Sequence, residues 1–241
     1  MTPARRAVAL ALVGGYVDAV GYVMLRGLFP NHVTGNLPFA AAHGGTHVLP
    51  AVLMIPLWLA GVVAAAGVAG EVRQRDPSRV LSTVLALEAA LLGAFLLLGV
   101  ALVPSPDSST LVTQTIVTGA GVLAMAAQSV VSRLAGYAYP TTMVTGTLTL
   151  LGMDGAQVLF RQHAGDDRTR LRGQIGALSR AVAAFAAGAG LGGLAVHRLQ
   201  FWAIALPVVA ITACAISERA GAALPEARHP ALPAPVAPRA G

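Results

Sequence analysis

The chain has 241 residues, 56% of them apolar and only 11% charged, against about 25% charge in soluble domains. So few charges could not cover a water-soluble surface, so the composition excludes a soluble fold and indicates a multispanning membrane protein with room for about six spans. The net charge of +6 comes from sixteen arginines with no lysine; they fall between apolar runs, which reads as membrane topology and not as a nucleic-acid surface, since no basic stripe with interleaved aromatics occurs.

In chain order, six spans are expected: Ala7–Leu25, Val48–Ala69, Val80–Val103, Leu111–Ser132, Gly176–Val196 and Phe201–Ile216. The runs are continuous, which favours helices over the alternating ten-residue strands of a membrane barrel. Arg5-Arg6 before the first run imitates a signal peptide, but the apolar pattern resumes past Asp18, so an uncleaved first span is expected. With both termini cytoplasmic, fourteen of the sixteen arginines lie inside and only Arg26 and Arg198 lie outside, as the positive-inside rule requires. Two segments are left over, Gly27–His47 and Leu134–Phe160. A crossing by the second would carry the arginine-rich 161–172 loop outside, so a re-entrant excursion is expected. Such backbone is tolerated only under protein cover or beside a wet cavity. Asp166 and Asp167 are read as part of that solvated loop. The Ala- and Pro-rich tail 219–241 is expected to be a disordered cytoplasmic extension of the single transmembrane domain 1–218.

Val-Thr-Gly occurs at Val33–Gly35 and again at Val144–Gly146. Residues 7–103 and 111–216 share an order: span, Arg, Pro, Val-Thr-Gly, short apolar segment, span, span. Arg26 and Pro30 answer to Arg133 and Pro140, and Asp18 answers to Gln128 one residue out of the Val-Thr-Gly register. Three spans per half is odd, so the second copy is expected upside down relative to the first, an all-α inverted-repeat plan known from transporters.

Few residues carry chemistry. Asp18 sits inside the first span, at roughly 2.5–3.5 kcal/mol on insertion scales, and needs a partner. Arg26, two turns on, is badly placed for it, so a partner from a re-entrant segment is expected. Two readings stand: a contact to an ion, proton or substrate, or an acid that fixes packing. Glu88 is read either as a second buried acid or, lying about one turn nearer the cytoplasm than the span centre, as one that partly reaches water. Asn31, His32, Thr34, Gly35 and Asn36 form the densest polar group. Thr34 and Asn36 are expected to cap a helix starting near Leu37, whose free N–H groups either bind an anion or stay merely capped. Thr145 and Gly146 are their counterparts, without the His and Asn. Gln128 is expected to have a partner. Asp154 marks the end of its segment or lines the cavity, the former preferred. His32, His43 and His47 have the ligand type for a metal, but Gly44-Gly45 between the last two argues for a loop, and no metal is expected. Gly188–Gly193 superficially resembles a dinucleotide turn; inside a span, close helix packing is the expected use. Cys214 stands alone, which excludes an intramolecular disulfide. No phosphate loop, nucleophile elbow or His-Glu-x-x-His is present, so neither enzyme activity nor a cofactor is expected.

The stretch Gly15-Tyr-Val-Asp-Ala-Val-Gly-Tyr22, with Gly27-Leu-Phe-Pro-Asn-His-Val-Thr-Gly-Asn36 and Met143-Val-Thr-Gly-Thr-Leu148, resembles the YoaK-like family of bacterial inner-membrane proteins. Asp18, Thr34, Gly35 and Asn36 match its motif. The resemblance implies an inner-membrane location and roughly six helices, but no substrate and no catalytic residues. The functional expectation is a small-solute or ion transporter in the lipid bilayer, with a non-transporting protein that binds a partner protein or lipid as the alternative. A homodimer is carried as an expectation that nothing in the sequence demonstrates.

Overall fold

The computed structural model describes residues 1–45, 48–137, 142, 144–160 and 166–223. Pro140, Thr141, His47, Arg161 and most of the tail lie outside the described residues, as do the side chains of Asp166, Asp167 and Arg168. Among the described residues all regular structure is helical: α1 Pro3–Met24, α2 Asn36–His43, α3 Val48–Arg75, α4 Val80–Leu102, α5 Leu111–Leu134, α6 Val144–Leu159, α7 Asp166–Leu199 and α8 Ala205–Ala223. A 3₁₀ turn, Val33–Gly35, leads into α2, and another, Gln200–Ile204, joins α7 to α8.

Five helical stretches are long and apolar enough to cross a membrane, and the chain is an integral membrane protein. The fifth, Thr169–Ala222, is 54 residues long. At 1.5 Å per residue that is about 80 Å, far beyond a hydrocarbon core of about 30 Å. It holds the two last expected spans, separated by the 3₁₀ turn and by Gln200 at φ 49°. Phe201 pins this bend: its ring fills the space a side chain on Gly99 of α4 would need and meets Phe95 edge-on, with centroids 5.4 Å apart. The outward faces are apolar. Val63 on α3, Leu97 on α4, Leu194 on α7 and Val209 on α8 are all exposed, which suits lipid and not water.

Side-chain contacts fix the helix directions. Leu12 and Tyr16 of α1 lie against Gly188 and Gly192 of α7 in matching order, so these two helices run the same way. Leu57 and Gly61 of α3 meet Gly119 and Leu123 of α5 in matching order, so that pair also runs the same way. Gln128, near the end of α5, donates to the carbonyl of Leu10 near the start of α1 at 2.9 Å. Pro30, just past the end of α1, touches Gly121. α1 and α5 are therefore antiparallel. α4 and α8 are antiparallel as well: Phe201 sits on Gly99, while Arg219 shares a crevice with Arg79. Where α1 and α7 cross, a Cβ on Gly15, Gly188 or Gly192 would strike a backbone carbonyl of the facing helix. The glycine run 188–193 thus serves helix packing, where lipid supplies no hydrophobic drive and close backbones maximise dispersion.

The two halves end their first helices with the same device. Gly27 N–H returns to the Tyr22 carbonyl at 2.8 Å, and Tyr137 N–H returns to the Ser132 carbonyl at 3.2 Å; both are six-to-one closures of a helix C-terminus. The left-handed residue is Arg26 (φ 54°) in the first and Gly136 (φ 63°) in the second. These caps are 110 residues apart, whereas the Val-Thr-Gly copies are 111 apart, so one residue is inserted between cap and motif. The register therefore sets Asp18 opposite Gln128 but sets Arg26 opposite Gly136, correcting the expected match of Arg26 with Arg133.

Two further expectations change. α7 starts at Asp166, ten residues before the expected Gly176, so Asp166 and Asp167 belong to a helix. α2 starts at Asn36 with Gly35 as its cap and no side-chain cap hydrogen bond, so neither Thr34 nor Asn36 caps it. Of the two readings of Glu88, the buried one holds.

Candidate functional site

Asp18 lies in the final two turns of α1, with only 5% of its surface exposed. The chain leaves α1 at the Arg26 cap and turns back. Pro30 packs against Gly21, which brings the next two residues onto the helix they have just left. The Asn31 N–H then donates to Asp18 Oδ1 at 2.8 Å, and His32 Nδ1 lies 2.5 Å from Asp18 Oδ2. The acid thus takes both partners from the broken segment and none from Arg26. Two short bonds, one to an imidazole, offset much of the cost of holding a carboxyl at this depth.

Asn36 holds the loop shut. Its Oδ1 accepts the Phe29 N–H at 2.7 Å and its Nδ2 donates to the Phe29 carbonyl at 3.0 Å. The residue is fully buried, so its amide is used in positioning the turn that presents His32. Thr34 is exposed and Gly35 half-buried at the rim.

The second break meets the first. Asn31 Nδ2 donates to the Thr142 carbonyl at 3.3 Å, and each of these residues stands two positions before its Val-Thr-Gly. Thr142 Oγ1 in turn lies 2.9 Å from Ser129 Oγ on α5. A hydrogen-bonded line therefore runs His32, Asp18, Asn31, Thr142, Ser129, across the meeting of the two halves. Thr145 and Gly146, at the start of α6, are exposed and stand apart from that line.

Each half also forms a crevice between its first helix, its break and a helix of the other half. The first, of about 630 Å³, has Asp18 and His32 on its wall with Gly15, Tyr22, Phe29 and Phe185. His32 stands edge-on to Phe185, with ring centroids 5.5 Å apart. The second, of about 660 Å³, lies between α3 and α5 and is lined by Thr142, Ser129, Arg73 and Arg133 among others.

The remaining expected residues are elsewhere. Glu88 is wholly enclosed on α4, and neither carboxylate oxygen has a hydrogen-bond partner among the described residues. Gln128 is consumed in part by Leu10. His43 stacks on Phe39 at 4.2 Å while His32 turns to Asp18, so these two do not converge; His47 lies outside the described residues. Asp154 is buried, with Oδ2 lacking a hydrogen-bond partner among the described residues. Sequence reading missed one group altogether: Arg6, buried near the start of α1, donates to Tyr137 Oη at 2.6 Å and pairs with Glu218 at the end of α8. The topology count treated Arg6 as a solvated charge, and nothing local in the sequence signals a partner two hundred residues away.

Residues 6–217 match a family described as protein of unknown function (DUF1275); the chain belongs to that family. No curated protein and no solved structure matches it.

Proposed function

We propose that this DUF1275 protein is a small-solute permease whose site is the Asp18–His32 pair. One observation carries the reading: a buried acid and a partly exposed imidazole share a proton-sized contact on the wall of a crevice, where two matched helix breaks touch. Ionisable groups inside a membrane bundle mark ion, proton or solute paths by default, and midplane sites between repeated halves are the usual transporter plan. In this reading His32, Thr34 and Gly35 face the solute, Asp18 sets the charge of His32, and Asn36 and Gln128 position the segments. Thr145 and Gly146 form the corresponding rim of the other half. Glu88 is a buried acid away from the contact.

The same reading takes the halves as inverted repeats with six crossings. It is supported by the antiparallel runs of α1 against α5 and α4 against α8, and by the bend at Gln200. It also takes both termini and the arginine-rich ends as cytoplasmic in a bacterial inner membrane, as in the YoaK-like proteins the motifs resemble. An Arg168→Cys protein labelled only from the outside would overturn that topology.

A second reading, a non-transporting membrane component, is favoured by the internal satisfaction of Asn36. It predicts a polar cluster closed to solute, whereas the crevice reaches Asp18. The test is flux in proteoliposomes of a solute found by metabolite screening. Asp18→Asn keeps an acceptor for Asn31 and a hydrogen-bonding group toward His32 but removes the charge. The expected result is lost flux with an intact fold; unchanged flux rejects the site.

A further inference from the structure

We propose that the crevice between α3 and α5 is a binding site for an anionic phospholipid, with Arg73 and Arg133 holding its phosphate. The inference is independent of transport. Both arginines line one end of the crevice. Neither has a carboxylate partner among the described residues, whereas Arg6 pairs with Glu218, Arg75 with Glu71 and Arg79 with Asp76. Two guanidinium forks on one opening match the geometry and charge of a phosphate.

The rest of the crevice suits an acyl chain. Trp58, Val62 and Ala66 run along α3 away from Arg73, and a Cβ on Gly70 would meet nothing within 4 Å. Fifteen residues separate Trp58 from Arg73, a rise of about 22 Å. That exceeds the roughly 15 Å of one leaflet's hydrocarbon, so the crevice runs from headgroup level past the end of a lipid tail. The placement of the two arginines, one near the end of α3 and one near the end of α5, puts both charges at a single interface.

Two alternatives weigh less. Arginines at helix C-termini complement the helix dipole, but each dipole end carries only about half a charge, so the pair leaves a net positive charge at the opening. The corresponding crevice of the first half has the same architecture and no arginine, carrying Asp18 and His32 instead, so the basic pair is a property of this crevice and not of the fold. Basic pockets between membrane helices are a known way of holding phosphate headgroups.

Trp58 supplies the readout. The protein has two tryptophans, and Trp202 is exposed, so Trp202→Phe leaves Trp58 as the reporter. The full chain is reconstituted into vesicles of phosphatidylcholine and phosphatidylglycerol, with brominated acyl chains on one lipid at a time. At equal mole fraction, brominated phosphatidylglycerol is expected to quench Trp58 more strongly than brominated phosphatidylcholine. The fitted preference should be about fivefold per arginine, so the Arg73→Gln, Arg133→Gln double variant should bring it to one, while Arg75→Gln should leave it in place. Equal quenching by the two lipids in the unmodified crevice overturns the proposal without reference to any variant. Loss of the preference on adding inorganic phosphate at the same ionic strength also overturns it, because the site would then be one for a free anion.

Discussion

Asn36→Ala tests whether the first break is held by the Asn36 side chain. The substitution removes two hydrogen bonds, at 2.7 and 3.0 Å, from a fully buried amide to the backbone of Phe29. Each of the two backbone groups stranded without a partner costs about 1–3 kcal/mol. Phe29 is half-buried beside the crevice, so water can reach part of what is exposed. The low end of the range applies, about 2 kcal/mol in total. For a chain of this size that is a fall of roughly 4–8 °C in midpoint. Cys214 makes the assay simple: it is the one cysteine and it is buried, so the rate at which a thiol-reactive fluorophore labels detergent-solubilised protein on heating reports unfolding from a single site. Asn36→Asp should be worse than Asn36→Ala, because it buries an unpaired carboxylate and sets one of its oxygens against the Phe29 carbonyl oxygen. A melt for Asn36→Ala within about 2 °C of the parent would refute the assignment of Asn36 as the clasp of this turn. The residue would then be free for another task, including direct contact with a solute.

Two other variants separate packing from chemistry. Gly188→Leu should prevent α1 and α7 from closing, since even a Cβ there would collide with the Leu12 carbonyl; Gly190→Leu, two residues away with nothing within 4 Å, should be tolerated, and size-exclusion profiles with the Cys214 melt compare them. Glu88→Leu should leave stability unchanged or raise it by about 1–3 kcal/mol, because it removes two buried oxygens that have no hydrogen-bond partner among the described residues; a marked fall in the melt would show that Glu88 holds its surroundings together.

The sequence conveyed the all-helical membrane class because hydropathy is a local signal that a bilayer enforces strongly. The matched breaks were visible for the same reason: Val-Thr-Gly interrupts an apolar run twice. What escaped was decided by partners distant in sequence. Asp18 was recognisable as an acid in need of company, and its partner was expected from the re-entrant segment, which is where Asn31 and His32 lie. The role of Asn36 was misjudged because a helix start three residues after a threonine looks like a capping signal, whereas the loop's own geometry turned the amide back onto Phe29. The start of α7 was misplaced because five charged residues between 166 and 172 read as solvated chain, although a helix projecting beyond the hydrocarbon tolerates charge freely. Arg6, Tyr137 and Glu218 could not be connected at all, since each is an ordinary interfacial residue until the ends of α1, α5 and α8 are brought together.

The contact between the breaks carries a chemical consequence. Asn31 and Thr142 occupy equivalent places in the two halves and touch. Under the proposed inverted-repeat plan, identical side chains at these two places would have to serve as donor and acceptor to each other at once, in the same geometry. An amide facing its own copy can do so only by offset pairing, which the single contact at 3.3 Å between a side-chain amide and a backbone carbonyl is not. The two roles are split instead: Asn31 donates, and the second half receives through its backbone while its hydroxyl turns to Ser129. Once the central contact is divided this way, the flanking positions have no reason to match. The acid and imidazole lie beside Asn31, and the hydroxyl pair and arginines lie beyond Thr142. The Asn31–Thr142 contact therefore joins two unlike settings, and it leaves the protein with two crevices of similar volume and different chemistries.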